Sequence, residues 1–153
     1  MNQADPEGNT PLIIAGKNGF ASIVDYLLMK KASAMKQNNR GETILHRTVK
    51  ASHLIVLETM IALGIDVYSC IEVADNDGCT PIFYALQDMQ TLRLIIKSKA
   101  LQGFGANVNV CDYGGHTPLY HAAYQNNLPA AVHLLEAGAK VDLHNCRSAA
   151  END

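Results

Sequence analysis

Histidine and cysteine side chains give this chain of 153 residues its most versatile chemistry, because they act as nucleophiles, general bases and metal ligands. Structural zinc sites use closely spaced ligand pairs, whereas the four cysteines stand singly and form no C-x-x-C pair. The grouping nearest to a metal site is Cys79, Cys111 and His116, and it also lacks paired spacing. We therefore predict no metal site, no bound cofactor and reduced thiols.

A catalytic set of the Cys-His or Ser-His-Asp kind needs members within hydrogen-bond reach. Cys79 and His116 each directly precede a threonine in two similar segments of the chain. If these segments fold alike and pack side by side, the two residues lie about 10 Å apart, the spacing of packed helices. We expect His121 and His133 to pack or cap helices, and the sequence has no G-x-S-x-G elbow or phosphate-binding loop. The sequence therefore predicts a protein that is not an enzyme.

The charge and hydropathy of the chain argue against nucleic-acid and membrane partners. Twelve bases against fifteen acids give a net charge of −3, without the positive field that dominates nonspecific nucleic-acid binding. No apolar run approaches the roughly 18 residues of a membrane-spanning helix, and the polar first ten residues are unlike a signal peptide. We expect cytoplasmic residence, with the nucleus as the alternative.

Four similar strings indicate that the chain is built from internal repeats. They read GNTPLIIA, GETILHRT, GCTPIFYA and GHTPLYHA and begin at Gly8, Gly41, Gly78 and Gly115. Steps of 33, 37 and 37 residues separate their threonines, which are Thr10, Thr43, Thr80 and Thr117. The shortest step gives the period, and four extra residues enter each of the others. Self-similarity of this kind predicts a stack of small units, which we number one to four.

Each unit combines the residues of a tight turn with those of a helix start. Three places before each glycine stands an acid or amide that can bond the backbone N–H groups of a turn, namely Asp5, Asn38, Asp75 and Asp112. Threonine followed by proline is typical of a helix N-terminus, which predicts caps at Thr10, Thr80 and Thr117. Helices of about ten residues are marginal alone, so neighbouring units must stack to bury their leucines and valines.

The fullest pattern belongs to unit four, with Thr117-Pro118-Leu119, Ala122-Ala123, Leu134-Leu135 and Gly138-Ala139. It resembles the ankyrin repeat, whose signature is T-P-L-H-x-A at a 33-residue period. The resemblance implies an all-α fold, an ankyrin-repeat solenoid of four helix-turn-helix units with β-turn or loop fingers. It also implies a single domain over residues 1–153, with repeats at 5–37, 38–74, 75–111 and 112–145 and a polar tail at 146–153.

Two units depart from this pattern. Four extra residues follow Gly64 in unit two, and we expect an outward-bulging loop within residues 65–76 that carries Tyr68 and Cys70. In unit three, Ile95 and Ile96 take the place of the paired leucines. This overlay predicts an extended or kinked second helix.

Ankyrin arrays generally bind proteins through their loop tips and first helices, so the resemblance implies a protein partner. The corresponding positions are Glu7, Asn9, Lys17, Asn39, Arg40, Glu42, Lys50, Asn76, Asp77, Cys79, Gln87, Asp88, Tyr113, His116, Tyr124 and Gln125. This strip mixes charges and aromatic rings, which favours a partner of mixed polarity. We expect Arg40, Tyr113 and Tyr124 to contribute most, because arginine and aromatic residues dominate interface energies. We expect the chain itself to be a monomer.

The sequence leaves several forms of this function open. The chain could be a segment of a larger ankyrin protein, which we favour because it opens on a turn and stops where another repeat could follow. It could instead be a small inhibitor, like those of NF-κB or of cyclin-dependent kinases, that masks a partner surface. The remaining alternative is part of an enzyme.

Two further features of the sequence carry expectations of their own. Six bases against one acid, Glu42, lie between Lys30 and Lys50; they form either a patch for acidic partners or, as we favour, solvated loop and helix ends. Asn109 stands in a leucine-spaced context that resembles the hydroxylated asparagines of animal ankyrin repeats. We therefore name Asn109 as a candidate hydroxylation site.

Overall fold

The computed structural model describes residues 4–64, 67–102 and 105–141. Within these ranges the regular structure is α-helical: α1 (Pro11–Lys17), α2 (Ala21–Met29), α3 (Ile44–Lys50), α4 (Leu54–Leu63), α5 (Val67–Cys70), α6 (Pro81–Ala85), α7 (Met89–Gln102), α8 (Pro118–Tyr124) and α9 (Leu128–Glu136). The predicted tail at 146–153 and the side chain of Tyr68 lie outside the described residues.

The helices form two stacked rows, as an ankyrin-repeat solenoid requires. Within the units, α1 packs on α2, α3 on α4, α6 on α7 and α8 on α9. Between units, the first helices stack in the order α1, α3, α6 and α8, and the second helices in the order α2, α4, α7 and α9. The all-α ankyrin solenoid predicted from the repeats is confirmed.

Small residues let the first helices approach closely. Ala15, Ala85 and Ala122 occupy the same place in their units, and all three are buried. At Gly16, an added Cβ would lie 2.6 Å from Cγ1 of Ile44 in the next unit. The leucines and valines between the two rows are thereby sealed from water, which supplies the main driving force for stacking.

Threonine begins the first helices, as predicted from the Thr-Pro pairs. Thr10 Oγ1 accepts the backbone N–H of Ile13 at 3.3 Å, and Thr117 Oγ1 accepts that of Tyr120 at 3.2 Å. At Thr80 the residue is extended and proline follows, but the side chain makes no capping hydrogen bond. The helix begins at the predicted residue, but the predicted capping hydrogen bond of Thr80 is wrong.

We call the turns at residues 5–9, 38–42, 75–79 and 112–116 the fingers. Backbone hydrogen bonds join each finger to the next. Each finger closes on itself, as in the bonds from Asp75 N to Cys79 O at 2.9 Å and from Gly78 N to Asp75 O at 3.0 Å. Between fingers, Asn39 N donates to Glu7 O, Asn76 N to Arg40 O, and Tyr113 N to Asp77 O, at 3.0, 3.0 and 3.1 Å. The fingers are therefore a continuous, fixed edge of the stack.

The insertion of unit two differs from its prediction, whereas the second helix of unit three agrees with it. Cys70 does not bulge outward: it ends α5, is buried, and its Sγ lies 3.4 Å from Sδ of Met35. The helical turn of α5 places this small side chain in the hydrophobic core. The long second helix predicted for unit three is confirmed, since α7 runs for 14 residues.

Candidate functional site

Fingers and first helices present one edge of the solenoid to solvent. Most of the predicted contact residues are exposed there, namely Glu7, Lys17, Asn39, Arg40, Lys50, Asn76, Asp77, Gln87, Tyr113, Tyr124 and Gln125. We call this set the finger surface. Its asparagines also brace the fold, because Asn39 Nδ2 donates to Pro6 O at 3.0 Å and Asn76 Nδ2 donates to Asn39 O at 2.9 Å.

Asn9 and Glu42, although predicted as contact residues, are buried and unavailable to a partner. Both occupy the place just before the helix-starting threonine, where the side chain turns into the stack. Asn9 Nδ2 donates to Asp5 Oδ2 at 2.9 Å, and Asn9 Oδ1 accepts from Asn38 of the next finger at 2.9 Å. We therefore exclude these two residues from the finger surface.

Glu42 is the centre of a buried charge network. Its Oε2 accepts hydrogen bonds from Asn38 Nδ2 at 3.0 Å and Arg47 Nη1 at 3.1 Å, and its Oε1 accepts one from Lys50 Nζ. Burial acts to raise the pKa of this carboxyl, but the hydrogen bonds from Lys50 and Asn38 and the charges of Lys50 and Arg47 outweigh it and lower the pKa to about 2. Two cations of the basic stretch are thus paired internally.

Cys79 and Asp88 are half-buried and serve the fold. Burial, followed by the charges of nearby aspartates, raises the pKa of the Cys79 thiol to about 11. The thiolate needed for nucleophilic or metal chemistry is thereby disfavoured. Asp88 Oδ2 accepts hydrogen bonds from Thr91 Oγ1 at 2.5 Å and Thr91 N at 3.2 Å, so it caps α7. These residues contribute less to a contact surface than the sequence predicts.

A row of aromatic rings runs along α8. His116 stacks on Tyr120 with ring centroids 4.2 Å apart, and Tyr120 lies parallel to Tyr124 at 6.4 Å. Tyr113 and Tyr124 are 78% and 82% exposed. Tyr120 is absent from the predicted contact set, although the spacing of four residues places Tyr120 and Tyr124 on one face of α8.

The positions at offsets of zero, four and nine residues from the turn residue meet in unit two, where Asn38 Nδ2 and Arg47 Nη1 both donate to Glu42 Oε2. In unit four they bring Asp112, His116 and His121 together, with His121 Nε2 2.7 Å from Asp112 Oδ2 and His116 Nδ1 3.5 Å from Asp112 Oδ1. Burial acts to raise the pKa of Asp112, but bonds from the His116 backbone N–H and the His121 ring outweigh it and lower the pKa. We call these three residues the Asp-His cluster.

Sequence reasoning found one member of this cluster and missed the other two. His116 is among the predicted contacts, but the sequence predicts a turn role for Asp112 and a packing or capping role for His121. The metal-like grouping of Cys79, Cys111 and His116 differs from the cluster, and Cys111 cannot offer a thiolate because it is disulfide-bonded. The expectation of reduced thiols is therefore wrong for Cys111, whereas Cys70 and Cys79 form no disulfide bond. The contact between Asp112 and His121 joins a turn residue to a helix residue nine places later, an offset that no local sequence pattern marks.

Asn109 makes contacts within the connection between units. Its Oδ1 accepts the Lys140 backbone N–H at 2.8 Å, and its Nδ2 donates to Gly138 O at 3.2 Å. The amide therefore joins the loops of two neighbouring units. Hydroxylation of Asn109 stays a prediction.

In the part of the chain that the structure describes, every helix is too short or too polar to cross a membrane.

Comparison with known proteins agrees with the architecture. The family described as ankyrin repeats (3 copies) matches residues 1–71 and again residues 68–145. The palmitoyltransferase AKR1 of Lachancea kluyveri is 30% identical over 130 residues, which cover 85% of this chain and 17% of that protein. The neurogenic locus notch homolog protein 1 of Homo sapiens is 33% identical over 148 residues, or 95% of this chain and 5% of that protein. Its counterpart in Danio rerio is 33% identical over 146 residues, or 94% and 6%.

The chain spans less than a fifth of the length of these relatives. Both family matches together extend from residue 1 to residue 145, which includes all the paired helices and all the fingers. The chain belongs to the ankyrin-repeat family.

Proposed function

We propose that this chain is a non-enzymatic interaction module that binds a protein partner through the finger surface. The observation that carries the proposal is the exposure of Tyr113 and Tyr124 on a rigid edge. Large aromatic side chains cost little conformational entropy when they are bound, and such residues dominate interface energies. The ankyrin repeat is an interaction fold, and the finger surface is where a partner gains these contacts.

The charges of the finger surface favour a partner of mixed polarity. Lys17 and Arg40 are exposed in units one and two, whereas Asp77 is exposed in unit three and the tyrosines lie in unit four. Arg47 and Lys50 contribute less positive charge than the sequence suggests, because both pair with Glu42. A purely acidic partner would therefore meet fewer free cations than the basic stretch implies.

Two observations bear on whether the module is part of a larger protein. The relatives carry a similar segment within much longer chains, which supports a segment of a larger ankyrin protein over a small free-standing inhibitor. One of them is named a palmitoyltransferase, so a non-catalytic part of an enzyme is the alternative. That the chain is a monomer, and that it resides in the cytoplasm or nucleus, stay predictions.

The test is affinity capture from cell extract with the wild-type chain and two triple variants. The finger variant carries Arg40→Ala, Tyr113→Ala and Tyr124→Ala. The matched control carries three exposed replacements on the second-helix row, Tyr26→Ala, Ile55→Ala and Leu128→Ala. Circular dichroism first establishes that all three proteins are equally helical.

We expect the finger variant to lose at least tenfold in affinity for the captured partner, because each central residue of an interface contributes about 2 kcal/mol. The control should bind as the wild type does. Equal capture by the finger variant, or a loss confined to the control, would contradict the proposed surface.

A further inference from the structure

The Asp-His cluster has a chemistry that partner binding does not use. Two imidazoles and one carboxylate point at a common space at the tip of unit four, and their ligand atoms all lie within 4.8 Å of one another. We propose that Asp112, His116 and His121 bind a divalent transition cation, with Zn²⁺ as the best match.

The ligand atoms lie within 4.8 Å of one another and need a local rearrangement to bind a metal, in which His121 moves slightly away from Asp112 and His116 moves inward. Zinc binds imidazole nitrogen and carboxylate oxygen at about 2.0–2.2 Å in a tetrahedral arrangement, so its ligand atoms lie about 3.3 Å apart. The present separations are 2.7 Å from His121 Nε2 to Asp112 Oδ2 and 3.5 Å from His116 Nδ1 to Asp112 Oδ1. The His116 side chain is 41% exposed, so its ring can shift along its stack on Tyr120 to reach the metal. A bound metal takes the place of the hydrogen bond between His121 Nε2 and Asp112 Oδ2, because an imidazole nitrogen that binds a metal carries no hydrogen.

The ligand types select the class of cation. Imidazole suits zinc, copper, nickel and iron, whereas magnesium and calcium prefer oxygen ligands alone. Asp112 is 10% exposed and His121 is 31% exposed, so the cluster is rooted in the fold but open on one side. Three protein ligands with an open side leave a position for water or for a side chain of another molecule.

Neighbouring groups hold the three ligands in place. Asp112 Oδ1 accepts the His116 backbone N–H at 2.9 Å, and the His116 ring stacks on Tyr120. The His121 ring lies perpendicular to the Phe83 ring, with the ring centroids 5.4 Å apart. Gly114 leaves the space that His116 occupies, since an added Cβ there would lie 2.7 Å from His116 Nδ1. Such supporting contacts reduce the cost of organising a metal site.

The other units provide internal comparisons. In unit three, Tyr84 donates its hydroxyl to Asp75 Oδ2 at 2.5 Å, in the place of the His121 to Asp112 bond. The fold therefore accepts tyrosine at the third position, and it accepts asparagine at the second position in unit one, where Asn9 bonds Asp5. Within the described residues, the full set of two histidines and one carboxylate occurs in unit four.

These comparisons supply variants that remove ligands with residues the same scaffold already carries. His121→Tyr copies unit three, and His116→Asn copies unit one. Gly114→Ala keeps all three ligands but crowds His116. His133→Gln is the control, because His133 lies apart from the cluster and pairs with Glu136 at 3.5 Å.

The experiment titrates the full chain with Zn²⁺ by calorimetry and with Co²⁺ by visible absorption. We expect one Zn²⁺ per wild-type chain, at least tenfold weaker binding in His121→Tyr, His116→Asn and Gly114→Ala, and unchanged binding in His133→Gln. Circular dichroism checks that each variant is folded; should the ligand replacements unfold the chain, Gly114→Ala carries the test.

Three results would overturn the proposal. They are the absence of saturable Zn²⁺ binding to the wild type, equal affinity in the variant that combines His116→Asn with His121→Tyr, and a Co²⁺ spectrum dominated by thiolate charge transfer. The titration needs no protein partner, so its outcome is independent of the finger surface.

Discussion

The Glu42 carboxylate is only 1% exposed and is held by Asn38, Arg47 and Lys50. Because these contacts favour its charged form, its pKa falls from an ordinary value of 4.5 to about 2 in the folded chain. A folded pKa below the unfolded value means that the charge stabilises the fold above pH 4.5. That stabilisation is lost as the pH falls through the folded value.

We predict that Glu42→Gln lowers the free energy of unfolding at pH 7 by about 1–3 kcal/mol, the size of hydrogen bonds to a charged group. The difference from wild type should shrink as the pH is lowered from 4.5 towards 2, because the wild-type carboxylate becomes protonated in that window. Urea unfolding over a series of pH values measures both effects.

Glu58→Gln is the matched control, since Glu58 lies exposed on α4. It should change stability by less than about 0.5 kcal/mol, as ordinary surface substitutions do. A Glu42→Gln effect that is absent at pH 7, or that keeps the same size at every pH, would show that the network does not stabilise the fold.

For single residues, the sequence predicts the place in the repeat better than it predicts whether the side chain is buried. The repeat overlay correctly places Arg40, Tyr113 and Tyr124 on exposed edges. It fails for Glu42, because its burial depends on three other side chains that converge from the finger and α3. It also misses the bond between Asp112 and His121, since nothing local in the sequence shows that a turn residue meets a helix residue nine places later.

The junction between the third and fourth fingers depends on Gly78. Gly78 has a φ of +79°, and an added Cβ would lie 2.6 Å from the Tyr113 backbone nitrogen in the following finger. Tyr113 N donates to Asp77 O at 3.1 Å, so the contact and the hydrogen bond occur at the same junction. Glycine is required here both for its conformation and for its small size.

We predict that Gly78→Ala destabilises the chain by about 1–3 kcal/mol more than Gly64→Ala, because overpacking adds to the strain of a positive φ. Gly64 is the matched comparison: its φ is +59°, and no described atom lies within 4 Å of its added Cβ. Denaturant unfolding of the two variants gives the difference directly. Equal losses would mean that the finger junction tolerates a methyl group.

The Thr-Pro pairs predict where first helices begin, and at two of the three they also predict the capping hydrogen bond. Thr10 and Thr117 with their prolines give both the helix start and the predicted cap. The inserted residues of unit two are different, because no repeat pattern covers them. Cys70 therefore becomes buried in α5 through packing with Met35, a contact 35 positions away in the chain.

The whole molecule is a stack in which each unit contacts its neighbours. Because the rows of first and second helices are continuous, the fingers are fixed relative to one another and present one extended surface. The period of the repeats predicts this architecture, as Thr10, Thr43, Thr80 and Thr117 all precede first helices. The repeats do not predict the identity of a partner, because that identity depends on the chemistry of a second surface.

Hydrogen–deuterium exchange of the chain, with and without its captured partner, tests the proposed surface most directly. We predict slower exchange in the partner complex at residues 5–9, 38–42, 75–79 and 112–116 and in the first helices, with α2, α4 and α9 unchanged. Slower exchange in α2, α4 and α9, with the fingers unchanged, would contradict the account and place the partner on the opposite row.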